Sequence, residues 1–176
     1  YSLRDYTEDK HNKIDDRPYG GGPGMVLSAL PVIAAVEDAL SKSEKAQIVF
    51  FAPHGKKFSN QMADEVLEAC TDVIFICGHY EGVDARVNEI FDTKVVSIGD
   101  YVLTGGELPA LVMIDAITRR IPGVLGDADS IEEKRIAGKD VYTRPECFEY
   151  QGKEYCVPEV LKSGNHKNID EFRKRV

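Results

Sequence analysis

Three short apolar runs constrain the fold of this chain most, because each is continuous rather than alternating. They read QIVFFA (47–52), VIFICG (73–78) and KVVSIG (94–99), and a glycine ends or closely follows each of them. Strands buried on both sides are typical of parallel sheets that carry helices on both faces. The sequence therefore predicts an α/β fold with a parallel sheet, helices on both faces and a small C-terminal helical part.

Helical patterns separate the strand-like runs. Apolar residues recur at near-helical spacing over 28–42, where Ser28 is in position to act as the N-cap. A second helix is predicted from Ser59 to about Cys70. A third is predicted over 106–121, just before a Pro-Gly pair. This alternation of strand and helix is what a parallel sheet requires.

Charge and composition limit the classes of function. The chain has 176 residues with a formal net charge of −8, which argues against nonspecific nucleic-acid binding. Residues 162–176 are locally basic, which fits either a solvated helix end or a phosphate contact. No apolar run approaches the ~18 residues of a membrane span. We expect a cytoplasmic protein without a membrane partner.

The four cysteines are Cys70, Cys77, Cys147 and Cys156, and none forms a Cys-x-x-Cys pair. We expect reduced thiols rather than a disulfide framework. The four histidines are scattered, so the sequence predicts no metal site. Cys77 lies near His79 and is a possible nucleophile, although a structural cysteine is the more common case at the end of a buried strand.

Glycine-bearing segments follow all three strand-like runs: APHGK, CGHYEGVD and SIGDYVLTGGE. In open α/β sheets, ligands bind beyond the carboxyl ends of the strands. The segments lack both the Gly-x-Gly-x-x-Gly pattern and the Gly-Lys-Ser/Thr of phosphate loops. They fit an adenosine ligand with a sulfonium, held by backbone groups beside Tyr80 and Tyr101. The alternative is that these glycines serve only as turns between packed elements.

Five motifs, in order, resemble the bacterial tRNA (guanine-N1)-methyltransferases, the TrmD family of the SPOUT class. The motifs are DDRPYGGGPGM (15–25), CGHYEGVD (77–84), SIGDYVLTGGELPA (97–110), IPGVLG (121–126) and YTRPE (142–146). The resemblance covers essentially the whole chain. It implies a SPOUT-type trefoil knot, S-adenosylmethionine as cofactor, magnesium for activity, and a homodimer with each active site between subunits. The implied reaction is methylation of tRNA at N1 of the guanosine 3′ of the anticodon.

The same resemblance assigns site residues. Arg119 is the implied catalytic arginine, although without the family it reads as a cation at a helix C-terminus. The implied cofactor contacts come from three segments: Phe51 and Pro53; Gly78, Tyr80, Glu81 and Gly82; and Ile98, Gly99, Asp100, Tyr101, Val102, Leu103, Gly105, Gly106 and Pro109.

The remaining assignments concern tRNA and the general base. Asp15, Arg17 and Arg144 are implied to contact tRNA. Lys134 stands where the family has an aspartate base, so the neighbouring Glu133 is the tentative base and Asp140 is a second possibility.

The resemblance also divides the chain. It implies a SPOUT cofactor-binding α/β domain over 1–126, an interdomain linker over 127–141 and a tRNA-binding helical part over 142–176. The family has further residues, including a strand, before this start, and we expect the C-terminal part to be truncated. Rival interpretations are a catalytically impaired relative that still binds cofactor, a different SPOUT methyltransferase, and a non-catalytic RNA-binding module.

Overall fold

The computed structural model describes residues 1–125 and 140–175. The chain divides into two compact units, Tyr1–Val124 and Leu125–Val176. Within the described ranges, no helix combines the length and the apolar character needed to cross a membrane.

The first unit alternates strands and helices after a short polar start. It opens with a 3-10 helix at Leu3–Tyr6 and an antiparallel pair of two-residue strands. Its elements are β1 (Asp15–Asp16), β2 (Val26–Leu27), α1 (Ala29–Leu40), β3 (Ala46–Lys57), α2 (Asn60–Ala69), β4 (Asp72–Ile76), α3 (Arg86–Ile90), β5 (Thr93–Ser97) and α4 (Glu107–Thr118).

The three apolar runs form one parallel sheet, as predicted. Its strand order is β4-β3-β5, so the first run of the sequence is the central strand. Val49 of β3 is in register with Phe75 of β4, and Phe50 is in register with Val95 of β5. The strands are parallel because a helix returns the chain across the sheet between them.

Helices cover both faces of this sheet, which confirms the predicted layers. On one face, α1 and α3 pack through Val32, Val36 and Val87 against Ile48 and Phe50. On the other face, α2 and α4 pack against the sheet. The buried apolar residues of this second cluster are Val49, Met62, Ala63, Val66, Val96, Met113 and Ile117. Neighbouring residues of β3 thus point to opposite cores, as the two-residue period of a strand requires.

The end of the central strand differs from the prediction. The sequence places the end of this strand at residue 52, whereas β3 continues to Lys57. Its register against β5 shifts between Phe51 and Lys56, so residues 52–55 bulge out of the ladder. Pro53 lies in this bulge and has no N–H to donate, which suits it to a break in the ladder. Gly55 comes so close to the backbone of Val96 that a Cβ would lie 2.7 Å away.

The second unit contains a β-hairpin that the sequence analysis missed. Strands β6 (Cys147–Tyr150) and β7 (Lys153–Cys156) pair antiparallel and precede α5 (Glu159–Lys162) and α6 (His166–Arg175). Gln151 and Gly152 both have positive φ, which matches a type I′ hairpin turn. All eight strand residues are exposed, so no buried alternation marked them as strands. The C-terminal part therefore contains helices, as predicted, together with a hairpin that was not predicted.

The hairpin also corrects the expectation about thiols. Cys147 and Cys156 lie directly opposite each other across the two strands and form a disulfide. Their spacing of nine residues is not a Cys-x-x-Cys pattern; it follows from two four-residue strands and a two-residue turn. Cys70 and Cys77 are free, as expected.

Candidate functional site

A cavity of about 560 Å³ opens in the first unit at the carboxyl ends of β3, β4 and β5. Three segments form it: the first loop (52–55), the second loop (77–84) and the third loop (98–106). The sequence-predicted cofactor contacts that line it are Phe51, Pro53, Gly78, Tyr80, Glu81, Gly82, Ile98, Gly99, Tyr101, Val102, Leu103, Gly105, Gly106 and Pro109.

Asp100 is the one predicted contact that is absent from this lining. Its carboxylate lies 2.5 Å from the Lys57 ammonium, and its side chain is 81% exposed. Asp100 therefore ties the third loop to the end of β3 instead of facing the cavity.

The second loop has an unusual backbone beside the cavity. Tyr80 has a φ of 55°, in the left-handed region that residues other than glycine seldom adopt, and its side chain is exposed. Gly82, with a φ of 120°, donates its N–H to the carbonyl of His79 at 2.9 Å and closes the turn. Strained residues of this kind cluster at ligand sites, where the surrounding structure holds them in place.

The third loop returns to the second loop and packs directly on its backbone. The N–H of Gly106 donates to the carbonyl of Gly78 at 3.0 Å. A Cβ on Gly106 would lie 2.6 Å from the Cα of Cys77, so only glycine fits without a backbone shift. Gly106 is also the N-cap of α4, and this contact therefore sets where that helix begins.

A side-chain pair missed by the sequence analysis joins the same two segments. Nε2 of His79 lies 2.5 Å from Oε1 of Glu107, the first residue of α4. Burial acts to raise the pKa of the Glu107 carboxyl, but hydrogen bonds from His79 and the backbone outweigh it and lower that pKa. Glu107 is therefore ionised at neutral pH. The signal in the sequence was the His of CGHYEG beside a strand end, but its partner lies 28 residues away.

Cys77 does not have the properties of a nucleophile. Burial, and then the negative charge of Glu107, raise the pKa of its thiol to about 11. Such a thiol stays protonated at neutral pH, whereas a reactive cysteine needs a lowered pKa. The interpretation of Cys77 as a structural residue is the one that this environment supports.

The glycine-rich flap (17–25) is tied to the second loop. The N–H of Glu81 donates to the carbonyl of Met25 at 3.1 Å, and the N–H of Leu27 donates to the carbonyl of Gly82 at 2.9 Å. Gly24, whose φ is positive, lies against the Glu81 side chain so closely that a Cβ would overlap the carboxylate. The flap therefore approaches Glu81, an acidic residue that lines the cavity.

The residues predicted to contact tRNA lie in both units. Asp15 pairs with Leu27 in the β1–β2 ladder, next to the flap. Arg17 lines a separate groove of about 1180 Å³ between the flap, α1 and α3. Arg144 is an exposed residue of the second unit, before a cis proline.

Arg119, the predicted catalytic residue that the structure describes, is not among the residues that line the cavity. Arg119 is the C-cap of α4, and its N–H donates to the carbonyl of Asp115 at 3.1 Å. Glu133 and Lys134 lie outside the described residues. Asp140, the second possibility for the base, is exposed at the start of the second described range.

One grouping of three potential metal ligands occurs in residues 1–125 and 140–175. It consists of Cys147, Glu154 and Cys156, all exposed. The two sulfurs are bonded to each other, so they cannot act as thiolate ligands in this state.

Comparison with known proteins gives a consistent picture. A family model described as tRNA (Guanine-1)-methyltransferase TrmD matches residues 1–176. Proteins of Bacillus cereus, Bacillus anthracis and Bacillus thuringiensis subsp. konkukian, each named tRNA (guanine-N(1)-)-methyltransferase, are similar to this chain. Each is 48% identical over 179 residues, an alignment that covers 99% of this chain and 71% of the relative.

Proposed function

This chain belongs to the tRNA (guanine-1)-methyltransferase TrmD family, and we propose that it transfers a methyl group from S-adenosylmethionine to N1 of the guanosine 3′ of the tRNA anticodon. The observation that carries this proposal is the match of the family model across residues 1–176. The cavity at the carboxyl ends of the parallel strands is the place where such a fold binds a ligand.

The chemistry of the cavity fits S-adenosylmethionine. Neither Lys nor Arg is among its described lining residues, so it offers no cation for a phosphate. Gly78, Gly105 and Gly106 let backbone groups approach a ligand, and Tyr80 and Tyr101 add aromatic surface. When bound, the cofactor supplies an electrophilic methyl group on a positively charged sulfur. The Glu81 carboxylate in the lining would attract that charge.

Arg119 would act on the guanine. As N1 loses its proton, negative charge develops on O6, and a guanidinium aimed at that oxygen stabilises the transition state. Arg119 ends α4, whose first residue, Glu107, packs beside the second loop. One rigid helix thus connects the proposed cofactor site with the proposed catalytic arginine.

The reaction also needs a general base, because N1 of guanine holds its proton at neutral pH. A positioned carboxylate is suited to take it. We propose Glu133 for this role, since the neighbouring Lys134 is protonated at neutral pH and cannot accept a proton.

We further propose a homodimer with the active site between subunits. In the first unit, α4 buries Pro109, Ala110, Met113 and Ile117 and leaves Leu108, Leu111, Val112 and Ile114 exposed. α4 thus carries apolar residues on its exposed side as well as on its buried side, and a helix of this kind is normally covered on both sides. Arg119 follows Leu108 by 11 residues and therefore lies on the same side of α4 as Leu108, although Arg119 itself is half-buried. A second copy that covers this side would bring Arg119 into the interface.

Binding of tRNA would involve both units. In the first, Asp15 precedes the flap that touches Glu81, and Arg17 is the first residue of that flap. In the second, Arg144 is exposed and α6 carries Lys167, Arg173 and Lys174, which suit phosphate oxygens. On this assignment the domain over 1–126 would bind the cofactor and part of the tRNA, and the part over 142–176, beyond the linker 127–141, would bind tRNA only. The protein would act in the cytoplasm, where tRNA is modified.

The trefoil knot and magnesium are two further properties that the family implies. A trefoil knot is compatible with the return of the third loop onto the second, through the hydrogen bond from Gly106 to Gly78. Magnesium is not supported by a resident site, because the one potential ligand grouping in the described ranges offers two bonded sulfurs and one carboxylate. Magnesium prefers oxygen ligands, and no catalytic step is assigned to it.

Two measurements on the full chain test the proposal. The first is calorimetry with S-adenosylmethionine and S-adenosylhomocysteine, with and without tRNA, and the second is an assay of methyl transfer to tRNA. We expect both compounds to bind, and methyl transfer to occur with tRNA. Binding of the cofactor without methyl transfer would identify a catalytically impaired relative. Binding of tRNA without either compound would indicate an RNA-binding module and would overturn the assignment.

A further inference from the structure

The side chains of His79 and Glu107 bridge two segments that form the cavity. Nε2 of His79 lies 2.5 Å from Oε1 of Glu107. His79 belongs to the second loop, and Glu107 is the first residue of α4, directly after the third loop. Both side chains are about half exposed, and ion pairs of that kind contribute little to the free energy of unfolding. Overall stability therefore does not account for this pair.

The backbone around the pair is built to accommodate it. His79 and Gly105 form an isolated antiparallel bridge, and the N–H of Gly106 donates to the carbonyl of Gly78. A Cβ on Gly105 would lie 2.8 Å from Cε1 of His79 and would overlap the carboxylate of Glu107. The missing side chain at Gly105 thus leaves room for the imidazole and the carboxylate to meet over the peptide chain.

The location of Glu107 reinforces the contact. A carboxylate in the first turn of a helix interacts favourably with the helix dipole, and Glu107 is the acidic residue in the first turn of α4. The carboxylate therefore has a fixed place on a rigid element. His79, in contrast, lies on a loop whose next residue has a left-handed backbone. The pair therefore connects a loop to the first turn of a helix.

We propose that His79 and Glu107 are positioning residues that hold the second loop against the start of α4 and so keep the cavity in its ligand-binding shape. The proposal rests on the assignment of this cavity as the S-adenosylmethionine site. His79 is itself among the residues that line the cavity, together with Gly78, Tyr80 and Gly106, whereas Glu107 is not. The pair would act on the ligand site through the placement of these lining residues.

Two measurements on the full chain test this role. The first is hydrogen exchange of the Gly106 amide by NMR, without ligand. His79→Ala should accelerate that exchange about tenfold, because the hydrogen bond to Gly78 opens more often. The Ala63 amide of α2, which donates to the carbonyl of the N-cap Ser59, should not change. The second is calorimetry with S-adenosylhomocysteine, whose dissociation constant should rise about tenfold, or 1.4 kcal/mol.

Matched variants separate positioning from a general loss of stability. His79→Gln retains an N–H donor and should restore most of the affinity. The double variant His79→Ala with Glu107→Ala should bind S-adenosylhomocysteine no more weakly than either single variant, because the two residues act as one unit. Lys42→Ala removes another exposed ion pair, with Asp38 on α1, and should leave both measurements unchanged.

The outcomes are distinguishable. The wild-type protein could bind neither S-adenosylmethionine nor S-adenosylhomocysteine, while His79→Ala still accelerates exchange at Gly106. In that case the cofactor assignment fails, but the role of the pair in holding the second loop against the start of α4 is supported. If exchange at Gly106 stays at the wild-type rate, the positioning role is overturned. The positioning role is also overturned if exchange at Gly106 accelerates in His79→Ala while the dissociation constant of S-adenosylhomocysteine stays at its wild-type value.

Discussion

Gly106 lies so close to Cys77 that a Cβ on the glycine would be 2.6 Å from the Cα of the cysteine. This contact joins the start of α4 to the end of β4, and the hydrogen bond from Gly106 to Gly78 runs beside it. The position of the third loop, and so the shape of the cavity, depends on the absence of one side chain.

Gly106→Ala should therefore disturb both stability and ligand binding. The new methyl group meets backbone, which cannot rotate away, and overpacking of this kind costs about 1–3 kcal/mol. We expect a lower thermal midpoint and weaker S-adenosylhomocysteine binding by calorimetry. Gly99→Ala is the matched control, because its Cβ would meet the exposed ring of Tyr101, which can turn aside. Equal thermal midpoints for the two variants would contradict the role of the backbone contact.

Substitution of the adjacent residues Arg119 and Arg120 should have different effects, on turnover for Arg119 and on stability for Arg120. Arg119→Ala should lower turnover by about two orders of magnitude or more, while cofactor affinity and the thermal midpoint stay near wild type. The Arg120 side chain is only 6% exposed and bonds the carboxylate of Asp64 at 2.9 Å. Arg120→Ala should therefore destabilise the fold by about 1–3 kcal/mol. Unchanged turnover in Arg119→Ala would remove that residue from the catalytic assignment.

The thiol of Cys77 should react with alkylating reagents only at high pH. Its pKa is about 11 in the folded protein, against about 8.5 for an ordinary thiol. At pH 8 we expect iodoacetamide to label Cys77 about two orders of magnitude more slowly than an unperturbed thiol. Mass spectrometry of the Cys77 peptide measures that rate, and urea-unfolded protein is the reference.

The same shift has a consequence for stability. Because the folded pKa is raised, the contribution of the protonated thiol is fully present below about pH 8.5 and is lost as the pH rises towards 11. Cys77→Ser should remove that part of the alkaline decline. A labelling rate that reaches half its maximum near pH 8.5 in the folded protein would show that the thiol is not buried as described.

The disulfide should hold the exposed hairpin together. Two-stranded hairpins are marginal in water, and closure of a loop of this length stabilises by about 2–3 kcal/mol. In the double variant Cys147→Ser with Cys156→Ser, we expect faster hydrogen exchange at the Val157 amide, which bonds the carbonyl of Glu146. The Ile169 amide in α6 serves as the control. Unaltered exchange at Val157 would mean that the strands pair without the disulfide.

The sheet was predictable because its strands are continuous apolar runs, and the starts of α1 and α2 were predictable because Ser28 and Ser59 precede them. The hairpin was missed because all eight of its strand residues are exposed, and only the Gln151-Gly152 turn signalled it. The His79–Glu107 pair was missed because its partners are 28 residues apart and meet only when the third loop returns to the second. Long-range approach of this kind leaves no local pattern.

The family resemblance supplied what local patterns could not. It assigned residues along the third loop, and all of these except Asp100 line one cavity. Asp100 differs because Lys57, at the end of the continued β3, lies within reach of its carboxylate. The sequence placed the end of that strand earlier, before the bulge at 52–55, and so gave no reason to expect the ion pair.

The most direct test of the central claim is methyl transfer to a defined tRNA. Labelled S-adenosylmethionine would be incubated with the full chain and an unmodified transcript, and in parallel with a transcript that carries adenosine in place of the guanosine 3′ of the anticodon. We predict label in the first transcript, located at N1 of that guanine by mass spectrometry, and none in the second. Equal labelling of both transcripts, or of neither, would contradict the proposed function.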